Sequence, residues 1–116
     1  MTVNLKRGQI YRVRHPASGG PHGDPKRTRC FVVVSRQELL DSKASRVLCA
    51  PVNTSDAGLA TEVGVGVDEG LAHASTINCD QLTRLEKSVL KDYIGSLKPS
   101  TLAQLHLALR IALDID

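Results

Sequence analysis

The clearest periodicity in the chain lies near its end. Leu102, Leu105, Leu109, Ala112 and Leu113 recur at three- and four-residue steps, the spacing of one helix face, and Pro99 suits a first helical turn. Leu107 and Ile111 widen that apolar face, so the helix is expected to pack between the sheet and a second subunit. Upstream the period shortens to two. Gln9-Ile10-Tyr11-Arg12-Val13-Arg14 alternates apolar and charged residues and predicts a half-buried strand, and Thr61, Val63, Val65 and Val67 alternate with Glu62, Gly64 and Gly66, predicting a strand weakened by its glycines. Phe31-Val32-Val33-Val34 does not alternate, and such a β-branched run between polar residues predicts a strand buried on both faces. Arg46-Val47-Leu48-Cys49-Ala50 predicts a further strand that Pro51 stops or confines to an edge. Ala74 to Cys79 predicts another, ending at Asp80-Gln81.

Ser35 to Ser45 accommodates one short helical turn, and Asn53 to Gly58 and Asp68 to Gly70 are dense in turn formers. Between Leu82 and Leu97 the pattern is mixed and reads as a short strand or helical turn near 88–91 and a strand near 93–97. The 116 residues suffice for one core, so a single domain spanning 1–116 is expected: mainly β with short helices (α+β), a strongly bent sheet closed by a C-terminal helix.

Charge changes this picture more than composition does. Residues 1–46 hold ten Lys/Arg against three acids, whereas the remainder holds five against nine, so the net charge of +3 conceals a basic N-terminal portion. That asymmetry suggests a polyanionic partner. Tyr11, Phe31 and Tyr93 are the only aromatics, too few for a base-stacking platform, so any nucleic acid would be held mainly through phosphates and hydrogen bonds. Cys30, Cys49 and Cys79 stand singly in apolar stretches with no C-x-x-C pair, which predicts small buried hydrophobes in reducing surroundings. No apolar run approaches membrane-spanning length, and a cytoplasmic, soluble protein is expected.

The stretch Gly19-Gly-Pro-His-Gly-Asp-Pro-Lys-Arg-Thr-Arg-Cys30 concentrates glycine, proline, a histidine and three bases directly before the most apolar strand. His22 lies within it and His15 shortly before it. His22 has the chemistry of an acid or base near neutrality, whereas His73 belongs to a surface turn and His106 to the edge of the helix. Signatures of zinc proteases, serine hydrolases and phosphate loops are missing, and neither a metal nor a cofactor is implied. Bases, hydroxyls, a histidine and a carboxylate without a metal motif fit cleavage of RNA by its own 2′-hydroxyl. The substrate supplies the nucleophile there, and the protein moves protons and stabilises charge at phosphorus.

Four segments carry a resemblance. Arg7-Gly8-Gln9-Ile10-Tyr11, Arg29-Cys-Phe-Val-Val-Val-Ser35, Ala50-Pro51-Val52-Asn53-Thr54 and Asn78-Cys79-Asp80-Gln81 follow one another in the order and spacing of the MazF/PemK toxin endoribonucleases of toxin–antitoxin modules. The resemblance implies an SH3-like, strongly bent β-barrel, a homodimer with a shared groove for single-stranded RNA, sequence-selective mRNA cleavage, and an antitoxin whose acidic extended tail occupies the groove. By position it implies Arg29 as the catalytic cation, with Asp80 and, around the family's threonine position, Asn53 and Thr54 as further catalytic candidates; His22 joins them by its chemistry, without a positional match. Lys26, Arg27, Arg14, Gln81 and Asn78 are the implied RNA contacts.

The sequence departs from the family pattern at Asn53, where threonine is expected and follows one place later, at Cys30 and Asn78, and in the wording of the loop. Two other functions remain open: a non-enzymatic poison of DNA gyrase resembling CcdB, and an RNA-binding relative without catalysis, for which Asn53 is the motivating residue.

Overall fold

The strand Arg46–Asn53 organises the molecule because it has partners on both sides and changes partner along its length. The computed structural model describes residues 4–14, 28–54 and 56–116. In chain order it contains β1 (Gln9–Arg14), β2 (Thr28–Val33), α1 (Gln37–Leu40), β3 (Arg46–Asn53), β4 (Glu62–Val65), β5 (Ser75–Asn78), β6 (Thr83–Glu86), β7 (Asp92–Ser96) and α2 (Pro99–Ala112). Single 3-10 turns lie at Val67–Glu69, Cys79–Gln81 and Lys87–Val89. The antiparallel order is β4-β5-β3-β2-β1-β7, with β6 joined to β3 beside β5. The first half of β3 pairs β6 (Arg46↔Glu86 to Cys49↔Thr83) and its end pairs β5 (Val52↔Ile77, Asn53↔Thr76).

Pro51 therefore does not end the strand as its sequence suggests. It lies between Cys49, the last residue paired with β6, and Val52, the first paired with β5. Leu48 turns both its N–H and its C=O toward the β2 side, so Pro51, three residues on, has its nitrogen on the opposite side. A missing donor costs no ladder bond at that changeover.

The unbroken apolar run does have two covered faces. Val32, Val34, Ala50 and Val52 join Ile10, Ile77, Leu105 and Leu109 in one core, while Phe31, Val33, Val47 and Cys49 join Tyr11, Val13, Leu40 and Leu90 in another. Helix α2 covers the first with Leu105, Ala108 and Leu109 and leaves Leu107 and Ile111 57% and 47% exposed. Its first turn is tied down by the buried Glu69, whose Oε2 accepts from the Lys98 N–H at 2.9 Å. Gly70 (φ +103°) and Gly95 let the turn carrying Glu69 cross β7 in backbone contact: a Cβ on Gly95 would stand 1.9 Å from the Glu69 carbonyl oxygen.

Three other expectations change. β2 begins at Thr28, so Arg29 and Cys30 belong to the strand. β4 stops at Val65, and Val67, 66% exposed, opens a 3-10 turn because Gly66 and Gly70 favour a bend over continued pairing. Thr83–Glu86, which shows no clean alternation, is a strand nonetheless, set by its ladder to β3. Cys49 and Cys79 are buried as expected, whereas Cys30 is only half-buried.

Candidate active site

Register decides what Arg29 meets. Phe31 lies opposite Pro51 in the β2–β3 pair, so two residues back along β2 and two forward along β3 bring Arg29 level with Asn53. The contact forms: Arg29 Nη2 donates to Asn53 Oδ1. On its other side Asn53 is paired with Thr76 of β5, which is buried. Residues paired across strands share a face, so Arg29, Asn53 and Thr76 form one row across three strands. The sequence reading did not single out Thr76, because a hydroxyl in a β-branched strand looks like packing until its register is known.

Rigid strands on both sides hold the cation of this row. Arg29 lies opposite Val13 of β1, whose side chain belongs to the core that also contains Phe31. Thr54, one residue beyond β3, is exposed. The loop that follows is tied back by Glu62, whose carboxylate accepts from the N–H groups of Ala57 (3.1 Å) and Leu59 (2.8 Å). Glu62 itself lies opposite Asn78.

Asp80 occupies a neighbouring station rather than the Arg29–Asn53 contact. Its Oδ2 accepts from Thr61 Oγ1 at 2.6 Å, and its backbone N–H donates to Asn78 Oδ1 at 2.9 Å. Asn78 thereby caps the 3-10 turn that presents Asp80 and Gln81, both exposed. Asn53 pairs with Thr76, whereas Asp80 follows the end of β5. Arg14 ends β1 opposite Thr28 and is exposed. His22, Lys26 and Arg27 lie outside the described residues, as does His15.

The thiols offer no nucleophile at neutral pH. Burial pushes Cys49 up to about 12, and burial with help from the Asp80 carboxylate pushes Cys79 up to about 11. Cys30 is also raised, mainly by burial, against an opposing pull from the Arg12 guanidinium. His106 is exposed on α2, and partial burial together with Arg7 lowers its pKa. Tyr11 and Phe31 are buried, leaving Tyr93 as the exposed aromatic ring, edge-on to Tyr11 at 5.8 Å. Among the described residues no group of three or more His, Cys, Asp or Glu side chains is gathered as metal ligands would be. No helix among them is long and apolar enough to cross a membrane.

Clefts among the described residues include two with basic linings. One of about 600 Å³, edged by Arg36, Arg46 and Arg84, lies at the other end of β2 and β3 from Arg29 and Asn53. Its Arg36 and Arg46 face Glu38 and Glu86 at 3.9 and 3.8 Å. The second, about 380 Å³, is lined by Arg12, Arg14, Thr28, Val89, Lys91 and Asp92, beside the start of β2.

Comparison with known proteins points in one direction. Residues 6–113 match the model of a family described as PemK-like, MazF-like toxin of type II toxin-antitoxin system. A curated relative, Endoribonuclease MazF3 of Mycobacterium tuberculosis, is 33% identical over 85 residues, covering 73% of this chain and 82% of that protein. Among solved structures, the Mycobacterium tuberculosis toxin MazF-mt6 superposes with a TM-score of 0.76 at 27% identity, covering 93% of this chain and 98% of the toxin. An endoribonuclease from Mycobacterial species, solved in complex with its cognate antitoxin, gives 0.76 at 25% identity, with 95% of each chain covered. The curled sheet with a C-terminal helix is the fold these proteins share with the chain.

Proposed function

The chain belongs to the family of PemK-like, MazF-like toxins of type II toxin–antitoxin systems, and from that premise we propose that it cleaves single-stranded mRNA by 2′-hydroxyl attack, without a metal ion. The observation that carries this reading is the Arg29–Asn53 hydrogen bond, which fixes a permanent cation on two paired strands at one end of the sheet. In the reaction the 2′-oxygen bonds to phosphorus while the bond to the 5′-oxygen breaks, leaving a cyclic phosphate and a 5′-hydroxyl. Negative charge grows on the non-bridging oxygens, and a preoriented guanidinium is placed to meet it.

Arg29 cannot accept the 2′-hydroxyl proton, because guanidinium stays protonated at any physiological pH. Removal of the 2′-hydroxyl proton therefore falls to another group, and a proton must be delivered to the departing 5′-oxygen as its bond to phosphorus breaks. Asp80, held by Thr61, and His22 are the two candidates with suitable chemistry. Asn53 replaces the family's threonine with an amide whose carbonyl holds the arginine and whose NH₂ is a donor of the kind a phosphate accepts.

The same reading assigns the exposed Leu107 and Ile111 stripe of α2 to a second copy of the chain, and the basic N-terminal portion to RNA and to the acidic tail of an antitoxin. The relative solved in complex with its cognate antitoxin supports an antitoxin as partner. A cytoplasmic location follows from an mRNA substrate. The test is incubation of the purified protein with a long single-stranded RNA in excess EDTA beside Arg29→Ala. Cutting that yields 5′-hydroxyl ends and is lost in the variant supports the reading; cutting that stops with chelator contradicts the metal-free step. Intact RNA across varied sequences, with binding retained, would favour the relative without catalysis.

A further inference from the structure

The second cleft has no role in cleavage as described above, yet it is basic and lies at the end of the sheet that carries Arg29. Arg12, Arg14 and Lys91 line it with the Thr28 hydroxyl, against one carboxylate, Asp92. Arg12 is committed to that carboxylate across the β1–β7 pair, at 3.6 Å with both side chains about half exposed. Arg14 lies opposite Thr28, and Thr28 immediately precedes Arg29 on β2, so Arg14 and Thr28 share the sheet face opposite to that of Arg29, at the same end of the strand. Two cations and a hydroxyl are thus held at the same end of the sheet as Arg29, with a third cation kept in check by a carboxylate.

We propose that this cleft binds backbone phosphates of the RNA flanking the cut site, with Arg14 and Lys91 as the direct phosphate contacts and the Arg12–Asp92 pair as a brake on affinity. The inference rests on the RNA substrate proposed above. A half-exposed ion pair contributes little to stability, so its electrostatic effect on an incoming polyanion is the more consequential one. Three cations along β1 and the approach to β7, on the face opposite Arg29 at the same end of the sheet, suit a run of phosphates on an RNA strand rounding that end better than a single small anion. Neither Lys91 nor Arg12 stands out in the sequence; the β1–β7 pairing brings Lys91, just before β7, to the two arginines of β1.

The test uses an RNA dodecamer with every 2′-hydroxyl methylated, so that binding is measured without cutting, titrated at several salt concentrations. The Arg14→Ala/Lys91→Ala double variant should bind more weakly, and its slope of log affinity against log salt should be shallower by about 1.4, the value for two lost single-strand phosphate contacts. Asp92→Asn should act in the opposite direction, tightening binding and steepening the slope by about 0.7 as Arg12 is released to a phosphate. Unchanged affinity and slope in both variants would overturn the proposal. So would inorganic phosphate binding in the cleft, seen at the Thr28 and Lys91 amides by NMR, with RNA binding unaffected by either variant. Cleavage of unmodified RNA by the wild-type protein is scored separately, so a failed nuclease and a failed flank site give different results.

Discussion

Arg29 on β2 donates to the side-chain oxygen of Asn53 on β3, and the pair sits where the ends of two antiparallel strands come level. The contact orients the guanidinium through a neutral partner, so its full positive charge is left to act on an anion. Asn53 stands where the family pattern has threonine, and the register shows how an amide can occupy that place: its carbonyl reaches the arginine from a paired position.

Substitutions at Asn53 separate orientation from charge. Asn53→Ala removes the acceptor and should slow RNA cleavage by about 10- to 100-fold, the kinetic equivalent of losing a hydrogen bond to a charged group. Asn53→Asp keeps an acceptor oxygen but neutralises Arg29, and should be at least as slow. Single-turnover cleavage rates for both variants check this, and an Asn53→Asp enzyme as fast as wild type would contradict the role of the neutral amide.

The crossing of β7 by the Glu69–Gly70 turn makes one glycine critical and another dispensable. Gly95→Ala places a methyl 1.9 Å from the Glu69 carbonyl oxygen, and backbone cannot yield there without displacing the Glu69 anchor of α2. A loss of about 3 kcal/mol or more is expected in urea unfolding. Gly64→Ala, with nothing within 4 Å of its added Cβ, should change stability by no more than about 0.5 kcal/mol.

Burial of the thiols predicts an alkaline instability. Cys49 and Cys79 titrate at about 12 and about 11 in the folded chain, against an ordinary value of 9.0. Because folding raises these values, the thiols' contribution is fully present below pH 9 and is lost as pH rises toward the folded pKa values. Each thiol should then lower stability by up to about 1.4 kcal/mol per pH unit above 9. In Cys49→Val one of the two contributions disappears, so the stability of the variant relative to wild type should improve between pH 9 and pH 10.5. Iodoacetamide at pH 8 should leave Cys49 and Cys79 unmodified in the native state.

The exposed face of α2 is the proposed contact with a second copy. Leu107→Asp/Ile111→Asp adds charge at two outward positions while leaving Leu105, Ala108 and Leu109 in the core. Sedimentation should show the wild type as a dimer and the variant as a folded monomer. A wild-type monomer at micromolar concentration would contradict the assignment.

How much of this was legible in the sequence depends on the kind of interaction. The α2 repeat and the Phe31–Val34 run were readable because burial alone determines them. Thr83–Glu86 was not, since an exposed strand owes its existence to the ladder on β3 rather than to its own pattern. Pro51 misled for a related reason: a local rule about donors could not know that β3 changes partner there. At the site, Arg29 and Asn53 stood out by their positions in motifs, but only register joins them, adds Thr76 and places Asp80 with Thr61. The basic cleft of Arg12, Arg14 and Lys91 depends on β1 pairing with β7, a contact between opposite ends of the chain with no local signature.

The most direct test of the central claim is cleavage of a long single-stranded RNA in excess EDTA, comparing the wild-type protein with Arg29→Ala under single-turnover conditions. The account predicts chelator-insensitive cutting to 5′-hydroxyl ends, slowed about 100- to 1,000-fold in the variant, the range expected when a preorganised transition-state donor is removed. Equal rates for Arg29→Ala and wild type, or cutting abolished by EDTA, would contradict it.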